Sequence, residues 1–375
     1  MKKKENTKTA QASQLRGTDT TAFGMLAQAR ALGSADAQMY AAMREAVPLL
    51  DAAVGKLVRL TGGFSVSCTD IAAQMRLRNF LKTVNVGRGQ YGMENFLAAY
   101  LDSLLTYGRA VGEIVTDGQE IDAVCWGDVT KLHVIEGDSP LDFALAVYDE
   151  GQLRTLPYPE LLLFSTWNPS TEHPYGTSLF HSMPFLTEML LKIYRTIGVN
   201  WERAGNVRYS VVYKPENGMD AGGAAEQMAN EWSRTMRESR SGEVRDFVAV
   251  GDVEIKVIGA DGQILDSEIP VRQILEQLVA KTGLPPFLLG LSWSSTERMS
   301  KQQADLLTSE LWAIRRSVQP ILERVCRAWL RMHGYGCGFE IEWDDISLQD
   351  SVEQAQADLY RIQAEKLCRE MEEKA

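Results

Sequence analysis

Apolar residues recurring every three to four positions predict helices through most of the first hundred residues. From Ala22 to about Leu60 the period is helical, in segments such as Ala35–Met43 and Val47–Leu60. Thr61-Gly-Gly breaks that pattern, and Phe64-Ser-Val-Ser-Cys68 alternates as a strand does. Two more amphipathic helices are predicted from Ile71 to about Val84 and from Met93 to Tyr107, with Gly108 placed to cap the second. The period then shortens to two. Ala110–Thr116, Ile121–Trp126, Val129–Ile135, Phe143–Tyr148 and Leu161–Phe164 read as strands, punctuated by turn pairs such as Asp117-Gly118 and Gly127-Asp128. Helices beside a mostly antiparallel sheet make the first half an α+β domain.

The second half is organised around long helices. A helical run opens at Gly176 and continues past Pro184 to about Gly205, with Leu186, Leu190, Ile193, Ile197 and Trp201 on one stripe. Glu188, Lys192, Arg195 and Glu202 fall mainly on another. A compact insert follows from about Val207 to Gln263: strand Tyr209–Lys214, helix Ala224–Glu238, then strands Phe247–Val250 and Val253–Ile258. A helix from about Pro270 to Thr282 puts Ile274, Leu275, Leu278 and Val279 on its apolar side. Leu284-Pro-Pro cannot extend it, because a proline ring disfavours helical geometry in the residue before it. After the polar loop Leu291–Thr296, a helix from about Arg298 to His333 is expected to bend or break at Pro320. Phe339–Trp343 reads as a strand and Val352–Glu373 as a final polar helix. Two long helices thus enclose a small α/β module.

With 375 residues, 45% of them apolar and 24% charged, the chain has enough material for two or three packed regions. No apolar stretch of about 18 residues lacks a charge, so no membrane span is predicted. The start, Met1-Lys-Lys-Lys, is basic without a following apolar run; it reads as a solvated arm or as one that touches nucleic acid, not as a signal peptide. Five scattered cysteines form no CxxC pair, which predicts reduced thiols and no metal site. The net charge of -11 and pI near 5.1 argue against a surface that grips nucleic acid throughout. They do not argue against a surface past which DNA slides.

Catalytic chemistry is not legible. Gly87-Arg-Gly-Gln-Tyr-Gly92 fits GxGxxG by letter, but no clear strand leads into it, and a helix-to-helix turn explains its glycines. No P-loop, HExxH or GxSxG is present. His133, His173, His181 and His333 stand alone, and Asp344-Asp345 reads as a pair of solvated turn residues. No enzyme activity, cofactor or metal is expected.

Several stretches in order carry a resemblance: Leu105-Thr-Tyr-Gly-Arg-Ala-Val-Gly-Glu-Ile-Val115, Pro159-Glu-Leu-Leu-Leu-Phe164, Tyr175-Gly-Thr-Ser-Leu179 and Gly283-Leu-Pro-Pro-Phe-Leu-Leu-Gly290. From about residue 25 to 350 the chain resembles the portal proteins of tailed double-stranded DNA phages, the head–tail connector family. The resemblance implies a basic arm over 1–21, a wing over 22–177, a first stem helix over 178–206, a clip over 207–263 and a second stem helix over 264–284. It further implies a tunnel loop over 285–303, a long helix and strand returning to the wing over 304–349, and a short crown or C-terminal helix over 350–375. It implies a dodecameric ring at one capsid vertex of the virion, assembled in the host cytoplasm, through which double-stranded DNA passes without sequence readout. The implied partners are the terminase large subunit, then a head–tail adaptor, and the major capsid protein or scaffold, with no membrane. Another head–tail connector or minor capsid protein is the competing structural reading. A nucleic-acid-processing enzyme is a third, opposed by the empty motif search.

A duplex carries about one negative charge per 1.7 Å, so a strongly basic tunnel would hold DNA instead of passing it. Isolated cationic rings on an acidic subunit suit passage better. Candidate tunnel contacts are Lys192, Arg195, Lys281, Trp293, Ser294, Ser295, Thr296, Arg298 and Lys301, with the cations alternatively paired to Glu188, Glu202, Glu276 or Glu297. For Arg315, Arg316, Arg324, Arg327 and Arg331, salt bridges between subunits are preferred over a phosphate track.

Overall fold

A computed structural model describes residues 29–31, 35–137, 142–149, 151–205, 208–214, 230, 252–258, 267–291 and 297–346. Side chains of residues 29–31, 35, 202–214, 252–258 and 297–301 are outside the description. The chain divides into two compact units, one of residues 1–187 with 274–375 and one of residues 188–273.

In the first unit, strand β1 (Ala29–Ala31) precedes helices α1 (Ala35–Ala46) and α2 (Pro48–Thr61). Pro48 suits the first turn of α2, where its missing N–H would have no helical partner. Strand β2 (Phe64–Cys68) follows, then α3 (Ile71–Thr83), whose Asp70 side chain accepts from the Ala72 and Ala73 amides. The short strands β3 (Asn85–Gly87) and β4 (Gln90–Tyr91) lead to α4 (Met93–Tyr107), which ends on left-handed Gly108. Strands β5 (Arg109–Thr116), β6 (Ile121–Gly127), β7 (Leu132–Glu136), β8 (Phe143–Asp149), β9 (Gln152–Thr155) and β10 (Leu162–Thr166) complete the α+β body.

One sheet has the order β1-β7-β8-β9 and is antiparallel throughout; the other has the order β10-β5-β6-β3-β4, with β3 and β6 parallel. The registers Val134↔Leu145 and Val111↔Phe164 align the apolar alternation of paired strands. Val111, Val129, Leu132, Val134, Leu145 and Val147 bury into one cluster. Leu50, Val54 and Leu57 of α2 and Phe96, Tyr100, Leu101 and Leu104 of α4 form the helical part of the core.

The chain leaves this unit along α5 (Pro184–Gly205), pairs β11 (Arg208–Lys214) with β12 (Asp252–Ile258), and returns along α6 (Glu268–Thr282). Then come α7 (Glu297–Met332) and β13 (Phe339–Trp343), which lies antiparallel to β2 with Ile341 opposite Val66. Leu307, Leu311, Ile314, Val318, Leu322 and Val325 of α7 are buried, as its apolar stripe predicts.

Several boundaries differ from the sequence pattern. α5 starts at Pro184, not Gly176, because residues 176–179 spend backbone and side-chain groups on the Trp167 carbonyl, the Thr106 carbonyl and the Leu105 carbonyl. α7 runs through Pro320, which is exposed, so no break occurs. Val129–Lys131 is a 3-10 turn capped by Asp128, and the strand begins only at Leu132. Gly87–Gly92 does lie in the turn between α3 and α4, but a three-residue strand leads into it and the segment folds back as the β3–β4 hairpin. Ala29–Ala31 pairs with β7 although its sequence period is helical, and the polar edge strand β9 had no alternation to reveal it.

The expected arm, the insert helix 224–238 apart from helical residue 230, the strand 247–250 and the C-terminal helix 352–373 lie outside the described residues.

Candidate functional site

α5 carries the first two candidate cations. At 3.6 residues per turn, Leu186, Leu190, Ile193 and Ile197 share a stripe; Leu190 is fully buried and the others are half-buried. Glu188, Lys192 and Arg195 fall within about 60° of one another on the exposed side. Lys192 Nζ lies 2.7 Å from Glu188 Oε1. The hydrogen bond and charge of Lys192 hold the Glu188 carboxyl below its ordinary pKa. Lys192 is therefore paired within its helix, and Arg195 is exposed one turn further on.

The rest of the helix circumference is the feature that the sequence reading missed. Phe185 and Met189 flank the charged stripe on one side and Leu191 and Tyr194 on the other, while Val199 lies within it and Trp201 beside the Leu190–Ile197 stripe. All six are exposed, Phe185 at 68% and Trp201 at 65%. Trp201 keeps the angular position of the Leu190–Ile197 stripe, as its spacing predicts, but is exposed towards the end of α5. The signal was present in the sequence, since few positions between 184 and 201 are polar; attention to one stripe concealed it. An apolar surface of this kind marks an interaction site on a helix.

Lys281 is exposed in the last turn of α6, where a cation opposes the helix dipole. α6 buries Ile274, Leu278 and Val279. Pro286–Leu289 forms a 3-10 turn that stops at left-handed Gly290. Trp293, Ser294, Ser295 and Thr296 lie outside the described residues. Arg298 and Lys301 belong to the first turns of α7, and their side chains are likewise outside the description.

The arginines of α7 separate into different roles. Arg315 is 1% exposed and serves no surface: its Nε donates to the Thr61 carbonyl at 2.8 Å, and its guanidinium carbon sits 4.9 Å from the Trp312 ring centroid and 5.2 Å from that of Trp343. Burial lowers its pKa, and Asp344 and Asp345 oppose that shift. This corrects its place among candidate intersubunit cations, and it gives the acidic pair an electrostatic partner. Arg324 Nη2 donates to the Pro159 and Glu160 carbonyls, and Arg327 approaches Glu323 at 3.8 Å. Arg316 and Arg331 are exposed.

The histidines are not all solitary. The His173 and His181 rings meet edge to face at 5.0 Å, and His333 stacks 4.0 Å from Trp329. Among the described residues, no group of three or more His, Cys, Asp or Glu is arranged to hold a metal ion.

Three of the stretches noted in sequence converge in space. β10 pairs with β5, Ser178 Oγ donates to the Thr106 carbonyl at 2.6 Å, and the Leu179 amide donates to the Leu105 carbonyl at 3.0 Å. Gly108 and Gly176 both have positive φ where these segments cross, and the Trp167 amide donates to the Gly108 carbonyl at 2.7 Å. Their residue types are dictated by backbones in close approach, which is architecture and not chemistry.

No family model and no curated protein matches the sequence. Solved structures do share the fold. A chain in the virion of a native gene transfer agent particle superposes with TM-score 0.62 at 16% identity, covering 88% of this chain and 89% of that one. A chain in the neck of the native particle, computed with C12 symmetry, gives TM-score 0.60 at 16% identity over 84% and 85%. An HK97-family phage portal protein from Corynebacterium diphtheriae aligns over 84% and 96% at 14% identity, but its TM-score of 0.41 is too low to bear on the argument.

Proposed function

We propose that this chain is the ring-forming portal subunit of a phage or gene-transfer-agent-like particle, located at one vertex of the capsid. The observation that carries the reading is α5, whose exposed apolar flanks on both sides of a narrow charged stripe call for neighbours of the same kind. A head-to-tail ring supplies them, because each subunit presents one flank to the next and the contact closes on itself. The fold shared with a chain of a C12 particle neck supports the same reading, as does the order of the sequence stretches that resemble portal proteins.

In this reading the protein has no catalytic step and binds no cofactor. DNA passes a tunnel lined sparsely by cations, with Arg195 and Lys281 as exposed candidates and Lys192 partly neutralised by Glu188. Trp293, Ser294, Ser295, Thr296, Arg298 and Lys301 complete the proposed tunnel set, touching phosphates without reading bases. The insert 207–263 is the proposed dock for the terminase large subunit and later for the adaptor, and the ring meets the major capsid protein or scaffold. Native mass spectrometry and class-averaged electron micrographs test the ring directly. Closed rings are the expected result; stable monomers alone at high concentration would overturn it.

A further inference from the structure

Cys68 and Cys337 are distant in sequence and adjacent in the fold. β13 places Phe339 opposite Cys68, and the pairing extends one step further as the Thr69 amide donates to the Gly338 carbonyl at 3.1 Å. Cys337 is two positions before Phe339, so it stands on the same face of the ladder as Cys68, one diagonal step away. Both are partly exposed. Cys337 also lines an open groove of about 680 Å³ with Glu323, Arg327, Arg331 and Tyr335, so a small solute can reach it.

The local backbone suits a covalent link. A disulfide needs Cα atoms about 4.4–6.8 Å apart, closer than many diagonal neighbours in a sheet. Gly336 and Gly338 flank Cys337, and a Cβ at either would meet nothing within 4 Å, so packing does not hold this segment rigidly in place. A third thiol, Cys326, is fully buried near Cys68; burial first, then the nearby Cys68 and Glu323, push it up to about 12. It keeps its proton and is a poor nucleophile.

We propose that Cys68 and Cys337 form a redox pair that closes to an intramolecular disulfide on meeting a low-molecular-weight disulfide. The Cys337 thiolate attacks one sulfur of the oxidant, breaking its S–S bond and expelling one thiolate. Cys68 then loses its proton and attacks the Cys337 sulfur of the mixed disulfide, expelling the second thiolate. Two protein thiols are oxidised, one external disulfide is reduced to two thiols, and the two protons released end on those products. Burial, with a smaller contribution from Cys337, raises the Cys68 thiol pKa, which fits it to the second step. The link joins β2 to the segment after α7, so it closes a loop spanning most of the chain. This inference stands independently of the portal reading.

The test uses the full chain, reduced, desalted and incubated with oxidised glutathione. Non-reducing tryptic mapping should yield peptide 60–76 joined to peptide 332–361, with Cys326 left in its own peptide 325–327. The free-thiol count should fall by two per chain, and the melting temperature should rise by about 4 °C and return on reduction. A Cys68→Ser or Cys337→Ser variant should lose the linked peptide, and Cys326→Ala should keep it. Recovery of the two peptides separately, free or each as a glutathione adduct, overturns the proposal. So does linkage of Cys68 to Cys326, or linkage found only between two chains.

Discussion

Two glycines, an arginine and a histidine show how single residues act here. A Cβ at Gly176 would lie 1.9 Å from the Gly108 carbonyl oxygen, and its φ is +91°. Gly176→Ala should therefore lower unfolding stability by about 3 kcal/mol, read as a drop in the denaturant midpoint. Gly118 has φ +90° with nothing within 4 Å, so Gly118→Ala should cost only about 1 kcal/mol. Equal losses would remove the close-approach explanation. Arg315 is held by planarity as well as charge, so Arg315→Lys should lose about 2 kcal/mol despite keeping a cation. A variant as stable as the parent would show that the two tryptophans do not need the guanidinium plane. His133 adds a pH dependence. Desolvation lowers its pKa, against a weaker opposing backbone hydrogen bond, so the folded state binds its proton less readily than the unfolded chain. Its stabilising contribution is present above the unfolded pKa of about 6.5 and is lost as pH falls through the lower folded value. The parent should weaken slightly more than His133→Phe between pH 7 and 5; the ring is partly exposed, so solvent keeps the difference small.

At the scale of elements, the proposed ring would divide α5 between folding and assembly. Its buried stripe at Leu186, Leu190, Ile193 and Ile197 was legible from period alone. Its exposed apolar residues were also present in the sequence, but a single-stripe period does not separate apolar positions that are buried from those left open. Changing Phe185 and Met189 together to serine should leave the circular dichroism spectrum intact and shift particles from rings towards monomers in size-exclusion chromatography. Rings unchanged by that pair would move the subunit contact elsewhere. α7 teaches a related lesson. Proline predicted an interruption, but the long buried stripe from Leu307 to Val325 keeps the helix continuous while Pro320 faces outward.

For the whole molecule, residues 188–273 form one compact unit that takes in most of α5 and the start of α6 together with the β11–β12 pair. If the insert is the proposed dock, replacing residues 210–260 with a short flexible linker should leave the first unit folded while abolishing motor docking in a packaging assay. Loss of all cooperative unfolding after that replacement would show that the insert is not separable.

Local sequence determined the order and type of most elements, including α2, α3, α4, β2 and β13, because capping, turn chemistry and apolar period act over a few neighbours. It also determined that no familiar catalytic motif is present. Tertiary structure alone decided what depends on distant partners. It joined β2 to β13, buried Arg315 between Trp312 and Trp343, drew Ala29–Ala31 onto β7, and set Cys68 beside Cys337. Such pairings are selected by burial and hydrogen bonding between segments whose separation along the chain leaves no periodic trace.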